Sequence, residues 1–146
     1  PSQVVISGHR EAIERAIELV RDHGIKRGIL LPVSAPFHCP LMQPAADAMA
    51  EALAGEALQA PLVPLYANVT AAPVAEVGTI KNLLVEQVTG RVRWRESVIA
   101  MFDAGVHDFT EFGGKVLGAM VKRSAPDAMA TSVITMDDIE ALLKEL

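Results

Sequence analysis

The sequence has a single cysteine, Cys39, in 146 residues, so no internal disulfide can form. No Cys/His cluster has zinc-ligand spacing, and no metal site is expected. One unpaired thiol suits a reducing compartment, so a cytoplasmic location is expected. Aromatic residues make up only 4% of the chain, which argues against an aromatic-rich β-sandwich core. No apolar run approaches the length of a membrane span; the longest, such as residues 28–33, are strand-sized. Positive charge is scarce: 13 Lys and Arg face 18 Asp and Glu, for a net charge of -5. The basic residues are scattered, whereas nucleic-acid binding needs them clustered to neutralise phosphates. Internal repeats, low-complexity tracts and a charged-then-apolar leader are also absent, and a chain that opens on Pro1 reads as the interior of a longer polypeptide.

What the sequence does have is small aliphatic material. It is 51% hydrophobic and 21% charged, enough to bury a core, and the Ala, Val, Leu and Ile that dominate suit helices packed on buried strands. The patterning predicts an α/β protein. Residues 3–6 read as a strand, followed by a helix with Ile13, Ala16, Ile17 and Val20 on one face and a stop at Gly24, then a second strand over 28–33. The strands of this β-α-β unit need partners from outside it. Pro32, Pro36, Pro40 and Pro44 then impose a stiff, shaped loop. Further helices are expected over 45–58, 80–88 and 94–104, with a short strand over 63–68. Strands over 108–112 and 130–134 flank a helix that opens at Gly113-Gly114. A final helix begins near Asp137, with Thr135 as its cap and Asp138 three residues on. The strand-helix alternation from residue 63 onward predicts a mainly parallel sheet.

His38 is the outstanding candidate for chemistry. Pro36 and Pro40 bracket it, so its imidazole has little conformational freedom to lose, as a general base requires. On local sequence alone a surface or packing histidine in a proline-rich turn is the favoured reading. Neighbouring side chains diverge, so Cys39 reads as a buried small hydrophobe rather than a nucleophile. His9, His23 and His107 lie in turn contexts without ligand partners. Gly113-Gly114-Lys115 faintly suggests an anion-binding turn, but a tight strand-to-helix turn is the simpler reading. Met42 and Met49 read as core filling.

Four segments together resemble bacterial malonyl-CoA:acyl-carrier-protein transacylases: Gln3-Val-Val-Ile-Ser-Gly-His9, Leu31-Pro-Val-Ser-Ala-Pro-Phe-His38, Leu41-Met-Gln-Pro44 and Glu111-Phe-Gly-Gly-Lys-Val-Leu117. The resemblance spans nearly the whole chain and is most specific around His38, whose counterpart partners a serine nucleophile. It implies the C-terminal part of an α/β-hydrolase-like core over residues 37–146, and part of a small ferredoxin-like subdomain over 1–36. It also implies that a glutamine main-chain carbonyl orients the histidine; Leu83-Leu-Val-Glu-Gln-Val88 nominates Gln87. Asn68, in Tyr66-Ala-Asn-Val69, matches a family asparagine near the site. Phe37 matches a Phe-His pairing linked to malonyl selection, although a hydrophobic plug beneath the loop is an equal reading.

The implied reaction is ping-pong transfer of malonyl from coenzyme A to the phosphopantetheine thiol of acyl carrier protein, without cofactor or metal. Two departures stand out. None of the serines Ser2, Ser7, Ser34, Ser97, Ser124 and Ser132 lies in the Gly-x-Ser-x-Gly elbow that exposes such a nucleophile. The family's serine, its malonate-binding arginine and its N-terminal oxyanion-hole segment all precede the matched region. The chain alone is therefore expected to be inactive and to need an N-terminal half. In addition, Gly113-Gly114 stands where the family usually has Gly-Pro-Gly. The competing expectation is a non-catalytic carrier-protein-binding domain, with Lys115, Lys122 and Arg123 meeting an acidic carrier.

Overall fold

The computed structural model of the chain describes residues 3–145. Contacts divide it into two units. The first runs to Val69 and resumes over Val74–Val92; the second joins Thr70–Pro73 to the chain from Arg93 onward.

In the first unit, α1 (Arg10–Leu19) half-buries Ile13, Ala16 and Ile17, with Val20 just beyond its end, the face that the spacing predicts. Gly28 passes close to this face: a Cβ there would lie 3.2 Å from Ile17 Cγ1. Residues 3–6 and 28–33, expected as strands, form none. Val5 is 63% exposed and Ile29 57%, and neither run is paired with another strand among the described residues. β-favouring side chains bias the backbone toward extension, but a strand exists only when its amides and carbonyls meet a partner. The expected strand over 63–68 likewise shrinks to β1 (Leu65–Tyr66), which pairs with β2 (Pro73–Val74).

After the proline loop, a 3-10 turn at Pro40–Met42 leads into α2 (Gln43–Ala54). α2 starts two residues before the expected 45 because Pro44 sits in its first turn, where a missing N–H costs nothing. It ends at Gly55 instead of running to 58. α3 (Val77–Thr89) packs against α2, and the 3-10 turn packs against both helices. Glu76 caps α3, its carboxylate accepting from the amides of Gly78 at 2.7 Å and Thr79 at 2.5 Å, with the Thr79 hydroxyl at 2.6 Å. The Thr79 hydroxyl, then the Gly78 and Thr79 amides, hold this carboxyl below the ordinary range.

The second unit contains α4 (Trp94–Asp103), β3 (Asp108–Phe112), α5 (Leu117–Ser124), β4 (Met129–Val133) and α6 (Met136–Leu143). β3 and β4 pair in parallel, in register from Asp108 opposite Met129 to Phe112 opposite Val133. α5 makes the crossover between them, as parallel strands require. Its core is Val98, Val121, Ala125 and Ala128, with Trp94, Met101, Phe102, Phe109 and Ala130 packed against it. Thr135 and Asp138 form a reciprocal capping box at α6, in the positions that the sequence predicts. The outcome is a mixed α/β fold with a parallel sheet, smaller than the alternation from residue 63 implies because β1 pairs with β2 and not with β3 or β4.

Candidate functional site

His38 lies in the turn between Pro36 and Pro40, with φ at 60°. This left-handed conformation is uncommon for any residue with a Cβ and costs on the order of 1–2 kcal/mol. The neighbouring groups hold it in place. The Cys39 thiol donates to the Pro36 carbonyl at 3.1 Å, bridging the turn, and the Cys39 carbonyl accepts from the Met42 amide at 3.0 Å, tying the turn to the 3-10 helix. Cys39 is thus buried as expected, with a bracing role that a hydrophobicity reading does not disclose. Adjacent prolines limit the alternatives.

The 3-10 turn carries this loop against α3, and the His38 imidazole meets the last turn of that helix. Nδ1 lies 2.7 Å from the main-chain carbonyl oxygen of Gln87. A carbonyl can only accept, so Nδ1 carries a proton, and in the neutral ring Nε2 is the nitrogen with the lone pair. The ring is exposed, so Nε2 is open to an incoming proton. The Gln87 carbonyl is suited to the task because the final carbonyls of a helix have no partner within it.

Gln87 is also held through its side chain: the Asn68 amide donates to Gln87 Oε1 at 3.0 Å. Beside it, Gly90 ends α3 in a space with no room for a side chain. A Cβ there would sit 2.7 Å from Val69 Cγ1 and 2.9 Å from the Glu86 carbonyl oxygen. Of the residues singled out from sequence, the structure thus brings His38, Gln87 and Asn68 into one chain of contacts. Phe37 sits at the neck of the turn and is 46% exposed. Among the described residues no group of His, Cys, Asp and Glu could hold a metal ion, and no helix is long and apolar enough to cross a membrane.

The Gly113-Gly114 turn is built differently from an open anion site. Gly113 takes a positive φ of 83°, and the Glu111 carboxylate folds over the turn. It accepts from the amides of Val116 at 3.0 Å, Leu117 at 2.8 Å and Gly118 at 3.1 Å. The amides that would attract an anion are already taken by the protein's own carboxylate. The Val116 amide, with those of Gly118 and Leu117, holds the Glu111 carboxyl below the ordinary range. Sequence reasoning missed this cap and that of Glu76; in each, a Glu just ahead of a glycine-containing helix start was the available signal. Lys115, Lys122 and Arg123 are all exposed.

The fold matches part of the fold of solved acyl-carrier-protein malonyltransferases. A solved acyl-carrier-protein-S-malonyltransferase from Bartonella henselae superposes with a TM-score of 0.89 at 48% identity, over 94% of this chain and 44% of that one. A malonyl-transacylase solved in complex with its type II PKS acyl-carrier protein superposes at 0.89 and 35% identity, over 95% of this chain and 45% of that one. In sequence, the malonyl CoA-acyl carrier protein transacylase of Escherichia coli K12 is 42% identical across 100% of this chain and 47% of its own length. The chain is homologous to the C-terminal part of malonyl CoA-acyl carrier protein transacylases, and spans about half the length of the curated relatives it matches. No family model matches it.

Proposed function

We propose that this chain supplies the histidine half of a malonyl-CoA:acyl-carrier-protein transacylase of fatty-acid synthesis, with His38 as general base and the serine nucleophile on an N-terminal half. The observation that carries the reading is the 2.7 Å contact of His38 Nδ1 with the Gln87 carbonyl, which leaves Nε2 as an exposed acceptor. The serine hydroxyl proton passes to Nε2 as the oxygen attacks the malonyl thioester carbonyl. Coenzyme A leaves as its thiol, taking the proton back from the imidazolium, and a malonyl-serine ester remains. In the second half-reaction Nε2 takes the proton of the phosphopantetheine thiol. The sulfur attacks the ester, and the serine oxygen leaves with that proton. A carbonyl serves as the orienting partner because it fixes the tautomer without needing a charge.

Under this reading residues 1–36 belong to a small ferredoxin-like subdomain and 37–146 to an α/β-hydrolase-like core. The chemistry needs no cofactor or metal, and the location is cytoplasmic. Phe37 restricts the acyl pocket against α-branched substrates, an effect of about 1–3 kcal/mol. The test joins the chain to the N-terminal half of a relative and measures malonyl transfer from coenzyme A to carrier protein. The joined protein is expected to be active, and His38→Ala to lower its rate about a thousandfold with the fold intact. Full activity of that variant would remove His38 from the chemistry.

A further inference from the structure

We infer that Asn68 is a positioning residue: it holds the side chain of Gln87 so that the Gln87 main-chain carbonyl stays on His38 Nδ1. The inference rests on the proposed role of His38 and adds to it a cause for the histidine's orientation. A helix-end carbonyl is a poor anchor by itself, because last turns fray and their carbonyls exchange with water. Gln87 lies in that turn, two residues from the end of α3. What steadies it is the segment just after β1. Asn68 Nδ2 donates to Gln87 Oε1 at 3.0 Å in a partly buried setting, and the next residue, Val69, packs where a Gly90 Cβ would otherwise stand.

The segment itself is fixed on its N-terminal side. Ala67 is buried, and β1 is paired immediately before it. Two contacts one residue apart therefore grip the final turn of α3 at Gln87 and at Gly90. One residue presents both ends of the relay, since Gln87 receives Asn68 on its side chain and His38 on its backbone. Rotation of the Gln87 backbone would turn the carbonyl off Nδ1 and free the imidazole to take its other tautomer, with the proton on the nitrogen that must accept it.

Asn68→Ala, Gln87→Ala and the double variant test this in the chain joined to the serine-bearing N-terminal half of a relative. Gln87→Ala removes the side-chain acceptor but keeps the carbonyl. Each single variant is expected to lower kcat about tenfold with KM within about twofold, since the loss is one of alignment rather than of substrate contacts. The double variant should be no worse than either single one, because the two side chains form one contact. Nitrogen-15 NMR of the imidazole should show the Nδ1–H form of His38 giving way to a mixture, while the melting temperature stays unchanged. Multiplying losses in the double variant, or an unaltered His38 tautomer in Asn68→Ala, would overturn the inference. A lost Nδ1–H form with undiminished kcat would uphold the clamp and overturn the proposed role of His38 instead.

Discussion

Residues 3–33 and residues 108–133 carry the same order of elements in sequence: a strand-like run, a helix with one apolar face and a second strand-like run. In the later segment the runs pair in parallel over five residues each, and alternate side chains of β3 turn inward. In the earlier one α1 half-buries its apolar face, yet the flanking runs stay unpaired and exposed. The difference is in the neighbours. α4 and α5 supply Val98 and Val121, both nearly inaccessible, beneath β3 and β4, whereas α1 has no buried residue. A helix can form from its own hydrogen bonds and one apolar stripe, but a sheet also needs a covered face and a paired edge.

The comparison breaks most sharply if a buried charge is equally tolerated in both places. Val98 is 0% exposed with no cation in the cluster around it, so Val98→Asp should destabilise the second unit by about 3–5 kcal/mol. Val5→Asp, on an exposed run, should stay within about 0.5 kcal/mol. Urea unfolding followed by circular dichroism measures both, and equal midpoints for the two variants would show that the first segment is packed as tightly as the second. Joined to the N-terminal half, Val5→Asp should become the costlier of its two measurements, because the expected strand then gains a partner.

The same contrast explains what could be read in advance. Helix faces were legible because a period of 3.6 is a local property: Ile13, Ala16, Ile17 and Val20 lie where the spacing put them. The α6 cap was legible for the same reason, with Thr135 and Asp138 three residues apart. Strand pairing was not, since residues 3–6 and 28–33 are as β-favouring as 129–133 and only the last has a ladder. His38 stood out from its proline-bracketed loop, but its role and its partners Gln87 and Asn68 came only through resemblance, because no periodicity links positions 38, 68 and 87. The close approach of Gly90 to Val69 was hidden more deeply, because a glycine after a helix reads first as a stop signal.

That approach gives a finer test within the first unit. A Cβ at Gly90 meets Val69 Cγ1 at 2.7 Å and the Glu86 backbone oxygen at 2.9 Å, and the backbone atom cannot move aside alone. Gly90→Ala should therefore cost about 1–3 kcal/mol and move the last turn of α3 away from residues 68–69. At Gly114 the nearest atom is the Glu111 carboxylate oxygen, at the same 2.7 Å but at the end of a flexible side chain. Gly114→Ala should therefore cost less, with the difference read from denaturation midpoints. A larger cost at Gly114 would mean that the Glu111 cap is the stiffer of the two structures.

The cap itself yields the smallest and most pH-specific effect. The folded Glu111 carboxyl is held below its unfolded value, so the native state binds fewer protons than the unfolded chain as pH falls. Its contribution is present in full above the unfolded value of about 4.3 and is lost as pH drops through the lower folded value. Glu76 and Asp138, depressed by the Thr79 hydroxyl and the Thr135 amide respectively, act in the same direction, so acid should loosen the starts of α3, α5 and α6 together. Glu111→Gln keeps one carbonyl oxygen for the three amides of Val116, Leu117 and Gly118 but loses the charge. It should melt below the parent at pH 7 and converge on it in acid, once the parent carboxyl is protonated too. Melting curves at pH 7 and at successive steps below about pH 4 measure the gap. A gap that persists at the lowest pH would mean that the cap acts through shape and not through charge.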